Sequence, residues 1–289
     1  MSCFLHVVLS LGLLILASMG LSGCSAMQTL PRQNISVGDL QRGYYLYVPS
    51  TQHSSPRALI VAFHGGGGMG ETFPQQKRFE ALAESNGIIL AFPQGYAYPG
   101  NEGEWQLNTR PDAAHDINFI KAMIDEIASR HAIDRNRIYA TGYSLGSMFT
   151  YEVACNMSDR FAAFSSFAGT MPIAPAQCAP EYSRPIMHIH GRNDPIISYS
   201  NTWGWKAWDD VGRMMDIPSL VQYWRNKHEC RSTDINETDG TTHFVYGHCK
   251  QNSRVEHHRI DGTGHTWPAE INGRSTHQVI WSFFRDFTL

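Results

Sequence analysis

Arg137-Ile138-Tyr139-Ala140-Thr141-Gly142-Tyr143-Ser144-Leu145-Gly146 is the stretch that decides the fold. It runs from a segment of strand character through Gly-x-Ser-x-Gly into an apolar helical segment, Leu145 to Cys155. A serine on so sharp a strand-to-helix turn is held in a strained backbone geometry with its hydroxyl exposed. Glycines two residues to either side relieve the crowding that side chains would create there. The bland reading of Ser144 is an N-cap for the helix that begins near Leu145.

Working outward, segments of strand and helical character alternate from about residue 40. Tyr44–Val48, Ala58–Phe63, Ile88–Phe92, Arg137–Thr141, Phe161–Phe167, Pro185–His190 and Val255–Ile260 read as strands. Several are continuous apolar runs, as expected where both faces of a strand are covered. Helical periods are clearest in Phe79–Ser85, Ile117–Arg130, Leu145–Cys155, Ser219–His228 and His277–Phe287. This alternation predicts one α/β domain with a largely parallel sheet. Long connections, Pro93 to Pro111 and Pro195 to Pro218, interrupt the pattern. They carry the aromatics Tyr96, Tyr98, Trp105, Trp203, Trp205 and Trp208, which suit either stacking on a substrate or packing of the loop onto the core.

His64-Gly65-Gly66-Gly67-Gly68 follows the strand Ala58–Phe63. Its glycines bare backbone amides, as an oxyanion hole requires, and no Lys-Ser/Thr follows to make it a phosphate loop. The expected donors are the amides of Gly66 and of Leu145, the residue after the serine. A serine hydroxyl needs a base, and the base needs an orienting carboxylate. In chain order the candidates are Asp194 in His190-Gly191-Arg192-Asn193-Asp194-Pro195 and His265 in Gly262-Thr263-Gly264-His265-Thr266-Trp267-Pro268. Both follow strand-like segments, so both are expected at the sheet edge that carries Ser144. Tyr143 and Trp267, beside the nucleophile and the base, join Trp105 as candidate substrate contacts.

The N-terminus differs in kind. Phe4 to Leu21 lacks Asp, Glu, Lys and Arg, and it is followed by Leu21-Ser22-Gly23-Cys24. This pattern predicts a signal peptide over residues 1–23, a lipid on Cys24, an N-terminal tether over 24–39 and a catalytic domain over 40–289. The protein is then expected outside the inner membrane, held to the envelope by lipid alone. Setting Cys3 and Cys24 aside, four cysteines remain, which suits an exported chain. Three pairings are open; loop length favours Cys155 with Cys178 and Cys230 with Cys249. No C-x-x-C spacing suggests zinc, and the pairs His188/His190 and His257/His258 read as structural or surface residues rather than metal ligands. With 289 residues, 17% charged, a formal net charge of −3 and no charge run, nothing marks a nucleic-acid partner.

Taken together, HGGGG, GYSLGS, HGRNDPIISY, YWRNKHEC and GTGHTWP resemble the α/β-hydrolase esterases grouped as polyhydroxybutyrate depolymerase-like, feruloyl-esterase-like and LpqC-like. The resemblance spans roughly residues 40 to 288. It implies an α/β-hydrolase fold, a mostly parallel central sheet flanked by helices. It also implies Ser144 as nucleophile, Asp194 as orienting acid, His265 as base, Gly66 and Leu145 as oxyanion donors, and no cofactor. Trp105 and Asp116 look like the family's Trp and Asp before the elbow, and Cys230 with Cys249 like its cysteine pair. Two departures flank the base: Gly262-Thr263-Gly264 stands where a glycine triplet is usual, and Ala269 where glycine often follows the proline. The implied substrates are feruloyl or acetyl carbohydrate esters or hydroxyalkanoate oligomers. A prolyl-oligopeptidase-like peptidase and a non-catalytic binding protein on a hydrolase scaffold are the alternatives.

Overall fold

The computed structural model describes residues 30–52, 54–70, 73, 78–96, 103–108, 114–172, 178–204 and 211–289. In chain order the first elements are β1 (Arg32–Val37), β2 (Leu40–Tyr47), β3 (Arg57–Phe63), α1 (Phe79–Asn86), β4 (Ile89–Pro93) and α2 (His115–Arg130). Then come β5 (Ile133–Tyr143), α3 (Leu145–Asn156), β6 (Ala163–Phe167), β7 (Ile186–Gly191), the short pair β8 (Trp203–Gly204) and β9 (Arg213–Met214), and α4 (Ile217–Lys227). The chain closes with β10 (Ser232–Thr238), β11 (Thr241–Gly247), β12 (Val255–Ile260), the short pair β13 (Glu270–Ile271) and β14 (Arg274–Ser275), and α5 (Thr276–Phe284).

Ten strands form one sheet in the order β1-β2-β4-β3-β5-β6-β7-β12-β11-β10. The six from β4 to β12 run parallel, and an antiparallel pair closes each flank. β3 shows why the central strands are apolar throughout. Leu59, Val61 and Phe63 enter the core on one face, with Ile120, Ile124, Phe149 and Trp224; Ala58, Ile60 and Ala62 enter the core on the other, with Phe79, Val279 and Phe283. Alternate side chains of a strand point to opposite faces, so burial on both sides demands an unbroken apolar run. In α2, Ile117, Ile120, Ile124 and Ile127 recur at helical spacing and are all buried. Truncating Ile124 to alanine is expected to cost about 2–5 kcal/mol.

The strands and helices read from the sequence are all present, with ends moved by a few residues. Three strands of the ten-stranded sheet were not read there, β1, β10 and β11, nor were the short pairs β8–β9 and β13–β14. β1 lies within the stretch assigned to a tether, which is a correction: Arg32–Val37 pair residue for residue with β2, because Asp39 and Gly38, with φ at 57°, turn the chain back on itself. The disulfides are Cys155–Cys178 and Cys230–Cys249. Residues 1–23, Cys24, Tyr98, Trp205 and Trp208 lie outside the described residues, among which no helix is long and apolar enough to cross a membrane.

Candidate active site

Strand register lines up the ends of the parallel strands. Phe63 pairs with Gly142, Tyr143 with Phe167, Phe167 with Ile189, and Gly191 with Ile260. The glycine-rich loop, the serine turn and the loops bearing Asp194 and His265 therefore all leave from one edge of the sheet.

Ser144 sits at φ 56° and ψ −121°, a conformation that costs of order 1–3 kcal/mol and persists only where its surroundings enforce it. The enforcement is visible. Its N–H donates to Phe167 O at 2.9 Å, and its C=O accepts from Met148 N–H at 3.1 Å. A Cβ on Gly146 would lie 2.2 Å from Phe63 O, and one on Gly142 would lie 2.1 Å from Gly146 O. The side chain makes no helix-capping bond, which sets aside the N-cap reading.

Instead Ser144 Oγ lies 2.8 Å from His265 Nε2, and His265 Nδ1 lies 2.7 Å from Asp194 Oδ2. Asp194 is buried. Its Oδ1 accepts the N–H groups of Ile196 and Ile197, both at 2.8 Å. Burial pushes the carboxyl up, but hydrogen bonds from His190 and His265 and from the Ile197 N–H outweigh it and hold Asp194 well below the usual carboxylate range.

Behind Asp194 runs a buried chain that the sequence reading missed. His190 Nε2 is 2.9 Å from Ile197 O and 3.4 Å from Asp194 Oδ2. Both are acceptors, so Nε2 carries the hydrogen and Nδ1 accepts. His188 Nε2, 3.1 Å from His190 Nδ1, is then the donor, and its own Nδ1 accepts from Tyr151 O–H at 2.7 Å. All three donors point toward the carboxylate. Burial, with His190 and His257 adding to it, keeps the His188 pKa well below the ordinary imidazole range, so this link is neutral. His257 braces it from the next strand, its Nδ1 3.1 Å from His188 O and its Nε2 3.0 Å from Tyr199 O–H. The sequence signal was the alternation of His188 and His190 on one strand, four residues before the aspartate.

In the glycine-rich loop, Gly67 N–H donates to Gly103 O and Gly68 N–H to Gly65 O, both at 3.0 Å. Gly66 lies against Leu145: a Cβ on it would stand 3.4 Å from Leu145 Cδ2. Leu145 opens α3, where a backbone N–H has no partner within the helix. The two expected donors are therefore neighbours.

Of the aromatic candidates, the structure speaks against Trp105 alone. Trp105 is fully buried; its Nε1–H donates to His64 O at 2.8 Å, and its ring stacks on Phe149 with centroids 4.6 Å apart. It supports the glycine-rich loop from beneath and offers no face to a ligand. The Tyr143 hydroxyl donates to His265 O at 2.7 Å, so it holds the backbone of the residue that faces Ser144 Oγ. Trp267, half-buried, packs its ring against Phe167, Tyr143 and Phe79. Asp116, fully buried, takes an ion pair from Arg42 and accepts Gln106 N–H at 2.8 Å and Tyr96 N–H at 3.3 Å, which fixes both ends of the loop bearing Trp105. Arg42 left no signal in the sequence beyond a charge inside a strand.

Fold and site together are those of the α/β-hydrolase class. Residues 104–206 match the model of the dienelactone hydrolase family. The chain is 26% identical to "Putative esterase NocK" of Nocardia uniformis subsp. tsuyamanensis, over 83% of this chain and 74% of that one. It is 25% identical to "Feruloyl esterase B" of Piromyces equi, over 80% of this chain but only 42% of that protein's length. Among solved structures, an acetyl xylan esterase from Aspergillus awamori superposes with a TM-score of 0.66 at 20% identity, covering 88% of this chain and 99% of that one.

Proposed function

We propose that Ser144 is the nucleophile, His265 the general base and Asp194 the orienting acid of a serine esterase that works through an acyl-enzyme. The single observation that carries this is the unbroken hydrogen-bonded sequence from Ser144 Oγ through His265 to Asp194. His265 Nε2 takes the hydroxyl proton as Ser144 Oγ attacks the ester carbonyl. The oxyanion that forms is held by the Leu145 and Gly66 amides. Collapse breaks the ester C–O bond, and the leaving alcohol takes the proton back from His265. A water molecule, deprotonated by the same imidazole, then attacks the acyl-serine and releases the acid. Gly66 suits its role because the amides of Gly67 and Gly68 are spent in the turn.

The proposed substrates are acetyl or feruloyl esters of carbohydrates, with hydroxyalkanoate oligomers as the competing ester class. The activities for which the Piromyces and Aspergillus relatives are named support the first. We further propose export through the leader over residues 1–23 and a lipid on Cys24, from the apolar run and the Leu-Ser-Gly-Cys sequence. Ser144→Ala is expected to abolish turnover of a chromogenic ester while the circular dichroism spectrum stays unchanged; retained turnover refutes the assignment. Turnover of methyl ferulate, acetylated xylan and hydroxybutyrate oligomers side by side ranks the substrates, and preference for the oligomers overturns the carbohydrate reading.

A further inference from the structure

We propose that His243, Glu256 and His258 form a binding site for a divalent transition-metal ion, zinc above others, between the β11–β12 pair and α5. His243 and His258 are Cα partners across the antiparallel pair, and Glu256 stands two residues before His258 on the same face of β12. Glu256 Oε2 is 2.9 Å from His243 Nε2 and 4.0 Å from His258 Nε2. One ligand atom from each residue falls within 4.8 Å of the other two. They line a cavity of about 320 Å³ that Asn236 and Asn272 also face.

His258 is the observation that asks for an occupant. It is 6% exposed, yet neither ring nitrogen has a hydrogen-bond partner. Native structures rarely leave an imidazole shut away from water with both nitrogens unsatisfied. Arg254 takes Glu256 Oε1 at 2.6 Å and also approaches Asp286 at 3.6 Å, so it is Oε2 that faces the imidazoles.

The donor set selects the ion. Glu256 and Asp286 balance Arg254 and Arg274 around the cavity, so a hard cation gains little from net charge. Two imidazoles and one carboxylate suit zinc and its neighbours, and calcium and magnesium prefer all-oxygen sites. The two rings stack in parallel, 3.9 Å between centroids and 8° between planes. Coordination therefore turns His243, whose side chain is 25% exposed, so that its Nε2 converges on the ion. Water in the cavity completes the shell. Such an ion would pin the β10–β11 hairpin and β12 toward α5, on the sheet face opposite His257.

The test is calorimetric titration of the chelator-treated full chain with zinc chloride alone, for wild type, His243→Gln and His258→Leu, with Tm measured on the same samples. The expected result is one equivalent bound with a rise in Tm for wild type, and affinity lowered at least ~10-fold with the Tm rise lost in each variant. Ester turnover in the absence of zinc stays at the wild-type value in all three. Failure of wild type to take up zinc saturably overturns the site and leaves the cavity to water. Equal affinity in all three proteins also overturns it and places the ion elsewhere. If His258→Leu does not fold, His243→Gln, whose side chain reaches solvent, decides the question by itself.

Discussion

His257 and His258 are consecutive on β12, yet they occupy opposite worlds. His257 points to the face shared with α4, where both nitrogens are engaged, by His188 O and by Tyr199 O–H, and where it braces the chain that ends at Asp194. His258 points to the face shared with α5, where neither nitrogen is engaged by protein. A strand's two-residue period sends neighbours to different environments. Here one environment is finished by protein alone and wired to the site, and the other is not. The comparison teaches that identical side chains, one position apart, acquire their role from the layer they enter.

The comparison can be broken first at its strongest point. Asp194→Asn is expected to lower kcat by roughly 10⁴-fold, because the amide favours the wrong His265 tautomer; a loss under tenfold in steady-state kinetics contradicts the wiring. Next is acid stability. Burial pushes the His257 pKa down to about 3, against about 6.5 in the unfolded chain. The unfolded chain takes up the proton first, so the stabilisation is fully present above pH ~6.5 and is lost progressively as pH falls toward about 3, up to roughly 5 kcal/mol. Urea midpoints measured from pH 7 to pH 4 should fall for wild type and fall less for His257→Gln; equal slopes would show that the imidazole takes up its proton alike in the folded and the unfolded chain.

His190→Leu tests the chain itself. Removing the donor beside Asp194 Oδ2 is expected to lower kcat by about 10–100-fold with KM nearly unchanged, and His190→Gln, which restores an N–H near that place, should recover most of the loss. An equal defect in both variants would reduce His190 to a packing role. Tyr143→Phe deletes a single neutral hydrogen bond to His265 O and should cost at most about tenfold in kcat/KM, as read on a chromogenic ester. The smallest effect is expected on the other face, where His243→Gln should leave kcat/KM within about twofold; a larger loss would show that the two faces communicate after all.

Much of the molecule is legible in its sequence because the central strands are buried on both sides. Ala58–Phe63 and Arg137–Thr141 can be read as strands, and the loops that follow them inherit a known edge. Ser144, Asp194 and His265 are reachable for the same reason: each closely follows such a run. β10, Ser232–Thr238, is exposed along almost its whole length, so no apolar alternation marks it. Trp105 shows a different limit. A tryptophan in a long loop reads alike whether it stacks on a ligand or on Phe149, and only packing distinguishes the two. The Tyr151–His188–His190 chain was illegible because its direction is set by the Ile197 carbonyl, a backbone group delivered by the turn after β7.

The sheet is open, and its two outermost strands carry a consequence for behaviour at high concentration. Among the described residues, β1 and β10 each present one rim of backbone groups with no neighbouring strand in the sheet, an invitation for another molecule to dock and extend it. Both are polar: β1 is Arg-Gln-Asn-Ile-Ser-Val, and β10 carries Asp234 and Glu237 among threonines and an asparagine. Such rims discourage end-to-end stacking into fibrils, and Ile235, 57% exposed, is the position where replacing a neighbouring charge with an aliphatic residue would first undo that protection.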